Sequence, residues 1–153
     1  MNGVDIVSFP VKKTMNYGQI ENFVMTLEKN YGVKIKGIAY DTWNAISSAS
    51  KWFEGGYEVI AIKQYSSHLH PPTKLLKESV LGEKFFYERN PLLETHVSNA
   101  KEVLDTNLNS YINKKKSSGK IDMLASLINA MAMWKNEIDK GYVDPDADLV
   151  FEL

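Results

Sequence analysis

VKIKGIAYDTWNAISSASKWFEGGYEVIAIK, residues Val33–Lys63, is the stretch whose pattern decides the fold. Val33, Ile35, Gly37 and Ala39 alternate with Lys34, Lys36, Ile38 and Tyr40, so Val33–Tyr40 reads as a strand that ends at Asp41. A helix is predicted from Thr42 to Glu54, stopped by Gly55-Gly56, and Tyr57–Lys63 (YEVIAIK) reads as a second strand. Strand, helix and strand joined this tightly imply an α/β fold with neighbouring parallel strands.

Working outward, Ile20, Phe23, Val24, Leu27 and Tyr31 fall at helical spacing before Gly32, and Val4–Val11 reads as a short strand with Pro10 near its end. On the other side, Ser66–Pro72 (SSHLHPP) reads as a loop whose two prolines open a helix over Thr73–Leu81. Lys84–Tyr87 is a short strand, and Asn90-Pro91 starts a helix running to Asn99. Lys101–Asp105 and Ser110–Lys114 look like the arms of a hairpin around Thr106-Asn107-Leu108-Asn109. Ser117 and Ser118 are N-cap candidates for a final helix beginning IDMLASLINAMAMW (Ile121–Trp134), in which Asp122 is the only charge. Residues 1–140 would form one partial domain, and residues 141–153, with Asp144, Asp146, Asp148 and Glu152 and no cation, an acidic C-terminal tail.

Composition sets outer limits. A hydrophobic fraction of 44% and an aromatic fraction of 11% describe a globular chain of 153 residues. A net charge of −1 gives no bulk attraction to polyanions, so nucleic-acid binding would need a local patch. The absence of cysteine excludes disulfides and thiolate metal sites and suits a reducing compartment. No signal-peptide run or span-length apolar stretch is present, which predicts a soluble, cytoplasmic domain with no membrane partner. No GxxxxGK[ST] or GxGxxG occurs, so nucleotide binding by those routes is not expected.

Two carboxylates hold the chemical interest. Asp41 stands at a strand end, where α/β sheets gather ligands, or else caps the helix after it. Asp122 opens a helix, where a carboxylate also answers the helix dipole. Together they are what hard divalent ions, Mg²⁺ or Mn²⁺, require, and a metal pair can serve both the attacking and the leaving oxygen of a phosphodiester. Lys114, Lys115, Lys116 and Lys120 precede Asp122 and offer phosphate contacts or a merely solvated arm. His68 and His70 form a His-x-His with no acid nearby in sequence, and His96 reads as a surface or packed residue. Trp43, Trp52 and Trp134 read as core or interface.

Six motifs then occur in order: Ala39-Tyr40-Asp41-Thr42-Trp43-Asn44-Ala45, Gln64, Pro71–Glu78, Asn90-Pro91-Leu92-Leu93, Ser98-Asn99-Ala100, and Lys120-Ile121-Asp122 followed by Ala125–Ala130. In this the chain resembles the C-terminal nuclease domain of the large terminase subunits of tailed bacteriophages, from Asn16 to Trp134. The resemblance implies a ribonuclease H-like fold, a central mixed sheet flanked by helices and incomplete at its N-terminus. It implies a metal-dependent DNA endonuclease that acts in DNA packaging, with two Mg²⁺ or Mn²⁺ ions held by acids matching Asp41 and Asp122. Lys116 falls near the family's basic position, and Asn99 sits in a recurrent motif with no assignable role. The implied partners are double-stranded DNA, an upstream ATPase portion, the portal and the small terminase subunit, in the cytoplasm of a bacterial host. The family's first metal acid lies on an earlier strand. Gly3-Val4-Asp5 imitates that strand, but too few residues follow for the intervening strands, so the first ligand is left open. The chain thus looks like the C-terminal part of a large terminase: a truncated fragment, a split gene product or a prophage remnant.

Overall fold

A computed structural model describes residues 16–42, 45–143 and 149–151. The chain divides into two compact units, Met1–Ala61 and Ile62–Leu153. The strand read over Val4–Val11, Asp5, Trp43 and Asn44, and the acids of 144–148 and Glu152, lie outside the described residues.

In the first unit, helix α1 (Tyr17–Tyr31) starts at Asn16, whose side chain accepts from Gln19 N–H at 3.3 Å, and stops at Gly32, left-handed at φ 67°. Strand β1 (Ile38–Asp41) pairs with β2 (Val59–Ile62), and helix α2 (Ile46–Glu54) connects them. The expected strand over Val33–Tyr40 therefore forms only in its second half. Strand structure needs a hydrogen-bonding neighbour, and contact with the second strand begins where Ile38 N–H meets Glu58 O at 2.8 Å.

Helix α1 packs on α2 around a buried carboxylate. Glu21 is 5% exposed, and it accepts from Ser48 Oγ at 2.7 Å and from Lys51 Nζ at 2.5 Å. Lys51 and Ser48, in that order, hold the Glu21 carboxyl below the usual range against the opposing effect of burial.

The second unit carries α3 (Ser66–Leu81), β3 (Phe85–Tyr87), α4 (Pro91–Asn99), β4 (Glu102–Leu104), β5 (Ser110–Ile112), α5 (Asp122–Asp139) and β6 (Leu149–Phe151). Its core forms where α5 meets α3 and α4, around Leu69, Leu76, Leu93, Ile121, Leu124, Ile128 and Met131. Helix α4 begins as read: Asn90 accepts from the N–H groups of Leu92 and Leu93 at 3.1 and 3.0 Å, and Pro91 takes the first position.

Helix α3 corrects the sequence reading. It begins at Ser66, so the segment read as a loop is helical and Pro71 and Pro72 stand inside the helix. Each proline removes a backbone donor at a typical cost of ~3 kcal/mol. Leu69, Pro72, Thr73 and Leu76 share one buried face at helical spacing, and their burial opposes that loss.

The hairpin β4–β5 is antiparallel, with Val103 opposite Tyr111. Its turn is built on Asp105, which accepts from Asn107 N–H at 2.8 Å, from Asn109 N–H at 2.9 Å and from the Ser66 hydroxyl at 2.6 Å. The Ser66 hydroxyl and the Asn109 side chain hold the Asp105 carboxyl down at about 2.

Within the segment read as an acidic tail, β6 pairs in parallel with β3, Phe85 opposite Leu149.

Candidate metal and nucleic-acid site

Asp122 occupies the first position of α5, where its carboxylate answers the positive end of the helix. The N-cap residue is Ile121, 1% exposed, and it supplies no side-chain cap. Ser117 and Ser118, expected as caps, are committed elsewhere. Ser117 Oγ accepts from Lys101 N–H at 3.0 Å, while Ser118 N–H and Oγ both reach Asn99 O, at 3.0 and 3.2 Å. The helix end is served instead from α4, where His96 Nδ1 accepts from Met123 N–H at 3.0 Å. Because a backbone N–H only donates, the Nδ1 of His96 carries its lone pair toward α5.

Strand β5 ends at Ile112, so the lysine run is a turn between β5 and α5, not a hairpin arm. Asn113 organises it: its Oδ1 accepts from Lys115 and Lys116 N–H at 3.0 and 3.1 Å, and its backbone O accepts from Ser117 N–H at 3.1 Å. Asn99 holds the following segment, its Nδ2 donating to Lys120 O at 3.0 Å. Gly119 passes so close that an added Cβ would stand 2.7 Å from Asn99 Nδ2, which explains a residue without a side chain there.

Of the four lysines, Lys114 forms an ion pair with Asp122 Oδ1. Lys115, Lys116 and Lys120 are exposed. The Lys114 ammonium holds the Asp122 carboxyl below its ordinary range against the opposing effect of burial, with a lesser contribution from the charge of Lys120.

Asp41 is the last residue of β1 in the first unit and is exposed. The helix after it begins at Ile46, later than the Thr42 expected, with Ala45 as its N-cap.

The His-x-His does not form a pair. His68 Nδ1 meets the Ser67 hydroxyl at 3.2 Å, and His70 Nδ1 accepts from Ser110 N–H at 3.0 Å. Among the described residues no group of three or more His, Cys, Asp or Glu side chains converges on one point. Trp52 is buried in α2, and Trp134 is half-buried on α5.

Sequence reasoning missed the work of His96 and Asn99. Asn99 carried a signal, its place in a recurrent motif, whereas a histidine cap contributed from another helix leaves no local trace.

Small sheets flanked by helices give the chain a mixed α/β fold of the ribonuclease H-like class found in terminase nucleases. The family model described as the terminase large subunit, endonuclease domain, matches residues 11–137, and the chain belongs to that family. The HK97 bacteriophage large terminase, known from a crystal structure, shares the fold with a TM-score of 0.67 at 17% identity. That likeness covers 78% of this chain and 25% of the HK97 chain, so the present chain spans about a quarter of that relative. A comparison with curated protein sequences finds no match. No helix among the described residues is long and apolar enough to cross a membrane.

Proposed function

We propose that this chain is the nuclease portion of a phage DNA-packaging terminase large subunit, cutting double-stranded DNA by metal-assisted hydrolysis of a phosphodiester. The observation that carries the reading is the exposed, ionised Asp122 carboxylate at the start of α5, beside a fixed turn of lysines, in a chain of the terminase endonuclease family.

The donor chemistry suits Mg²⁺ or Mn²⁺. Asp122 offers hard oxygen atoms at the surface, and the Lys114 ammonium stands against Oδ1 as a cation already does. Asp41 and Asp122 would hold the metal. When bound, a pair of such ions lowers the pKa of the attacking water and stabilises the leaving oxygen. Lys114, Lys115, Lys116 and Lys120 would hold the DNA backbone through its phosphates, without reading sequence. The upstream ATPase portion, the portal and the small terminase subunit would be its partners, in the cytoplasm of the host.

A second reading has its own support. With no cluster of three acidic or imidazole ligands among the described residues, the isolated chain would hold Mg²⁺ loosely and act as a non-catalytic DNA-binding or portal-docking module.

The test is a supercoiled plasmid incubated with the purified chain and Mg²⁺ or Mn²⁺, with Asp41→Asn and Asp122→Asn alongside. We expect a trace of cutting with Mn²⁺ and less with Mg²⁺, lost in both variants. Cutting that survives both substitutions would sink the assignment of these acids. DNA binding without any cutting would favour the second reading. Charge reversal at Lys115 and Lys116 should weaken binding equally across sequences and flatten its salt dependence.

A further inference from the structure

We propose that α4 sets the position of the Asp122 carboxylate through hydrogen bonds on either side of it, Asn99 Nδ2 to Lys120 O at 3.0 Å and His96 Nδ1 from Met123 N–H at 3.0 Å. The two anchors lie three residues apart on one face of α4 and grip the chain just before and just after Asp122. His96 and Asn99 are positioning residues for Asp122, and the inference rests on the reading of Asp122 as a metal ligand.

The need for this arrangement follows from the helix end itself. The first N–H groups of a helix have no partner within it, and the Ile121 side chain cannot accept a hydrogen bond. Ile121 is 1% exposed, so this end is shielded from water on its core side, and Met123 N–H depends on His96. His96 is itself 8% exposed and packed, which fixes its ring. On the other side, Asn99 binds the segment twice: its side chain takes Lys120 O and its backbone O takes Ser118 N–H at 3.0 Å. With Gly119 passing against the Asn99 side chain, the approach to Asp122 has little freedom. Partners that orient a metal ligand from behind typically change metal affinity by about tenfold or more when removed.

The experiment uses the whole chain. The variants are His96→Leu, which removes the acceptor; His96→Asn, whose Oδ1 can take the place of Nδ1; Asn99→Ala; and Asp122→Asn. Amide hydrogen exchange of Met123 is followed against Ile128 and Met131 in the buried middle of α5, and Mn²⁺ binding is followed by line broadening of amides around Asp122.

In His96→Leu we expect Met123 to lose protection at least tenfold while Ile128 and Met131 keep theirs, and Mn²⁺ to bind about tenfold more weakly. His96→Asn should restore most of both, and Asn99→Ala should weaken Mn²⁺ in the same direction. Unchanged protection of Met123, or equal effects of Leu and Asn at position 96, would overturn the proposal. So would loosened exchange with undiminished Mn²⁺ broadening, which would make the anchors purely structural. If His96→Leu does not fold, the outcome with His96→Asn and Asn99→Ala decides. Broadening that persists in Asp122→Asn refutes the metal-ligand reading itself, and the exchange measurement then decides separately whether α4 fixes this helix end.

Discussion

Replacing Lys114 with alanine should tighten divalent binding at Asp122 while weakening DNA binding. The Lys114 ammonium sits on Asp122 Oδ1, so a metal ion reaching that oxygen must first displace it. The two side chains are 63% and 56% exposed, which places the pair among solvent-screened ion pairs worth ~0.2–1 kcal/mol. Relieving that competition should raise Mn²⁺ affinity by about 1.4- to 5-fold, the same free energy written as a ratio. Stability should fall by no more than ~1 kcal/mol. DNA affinity should fall, with a salt slope smaller by about one phosphate contact. The assay is Mn²⁺ titration at neutral pH, where Asp122 is ionised with or without its partner, followed by DNA binding across a range of salt. Weaker Mn²⁺ binding in Lys114→Ala would refute the reasoning, because it would mean that the lysine assists the metal instead of standing in its place.

Other expectations test the frame around the site. The Asp105 carboxyl, at about 2 in the folded chain against an ordinary 3.8, contributes stability that is complete above the higher value and is lost as pH falls toward the lower one. Thermal melts between those pH values should therefore show a steep loss that flattens in Asp105→Asn, and an unchanged slope would remove Asp105 as its cause. Met131 has 0% exposure, so Met131→Ala should cost about 2–5 kcal/mol in urea unfolding, against less than ~0.5 kcal/mol for Lys115→Ala. Gly119→Ala brings a Cβ to 2.7 Å from Asn99 Nδ2 and should break the bond to Lys120 O, lowering stability by about 1 kcal/mol. A neutral result there would show that the side chain of Asn99 moves aside freely.

The elements that could be read in the sequence are those whose cause is local. Asn90-Pro91 carries its own cap and first-turn residue, so the start of α4 was legible, and the turn residues between β4 and β5 marked the hairpin. The placement of Asp41 at a strand end and Asp122 at a helix start was legible for the same reason. What escaped was decided at a distance. Helix α3 runs through two prolines because its buried face packs on α5 and β5, which no local propensity reports. Ser117 and Ser118 have the right chemistry for caps but spend it on Lys101 and Asn99, leaving the helix end to His96, 27 residues away from Met123. The helix after Asp41 was read as starting near Thr42, four residues before α2 begins at Ile46.

The parallel pairing of β3 with β6 bears on how the chain acquires its structure during synthesis. Phe85 finds Leu149 only after α4, the hairpin and α5 have all been made, a closure across roughly sixty residues. Helices α3 and α4 emerge from the ribosome well before that, with Phe86 at 50% exposure even in the finished fold. For several seconds, at ordinary rates of translation, the nascent chain presents an apolar strand with its eventual neighbour not yet built. Chaperone dependence and aggregation of shortened versions should therefore track whether Leu149–Phe151 is present, more than any residue of the site.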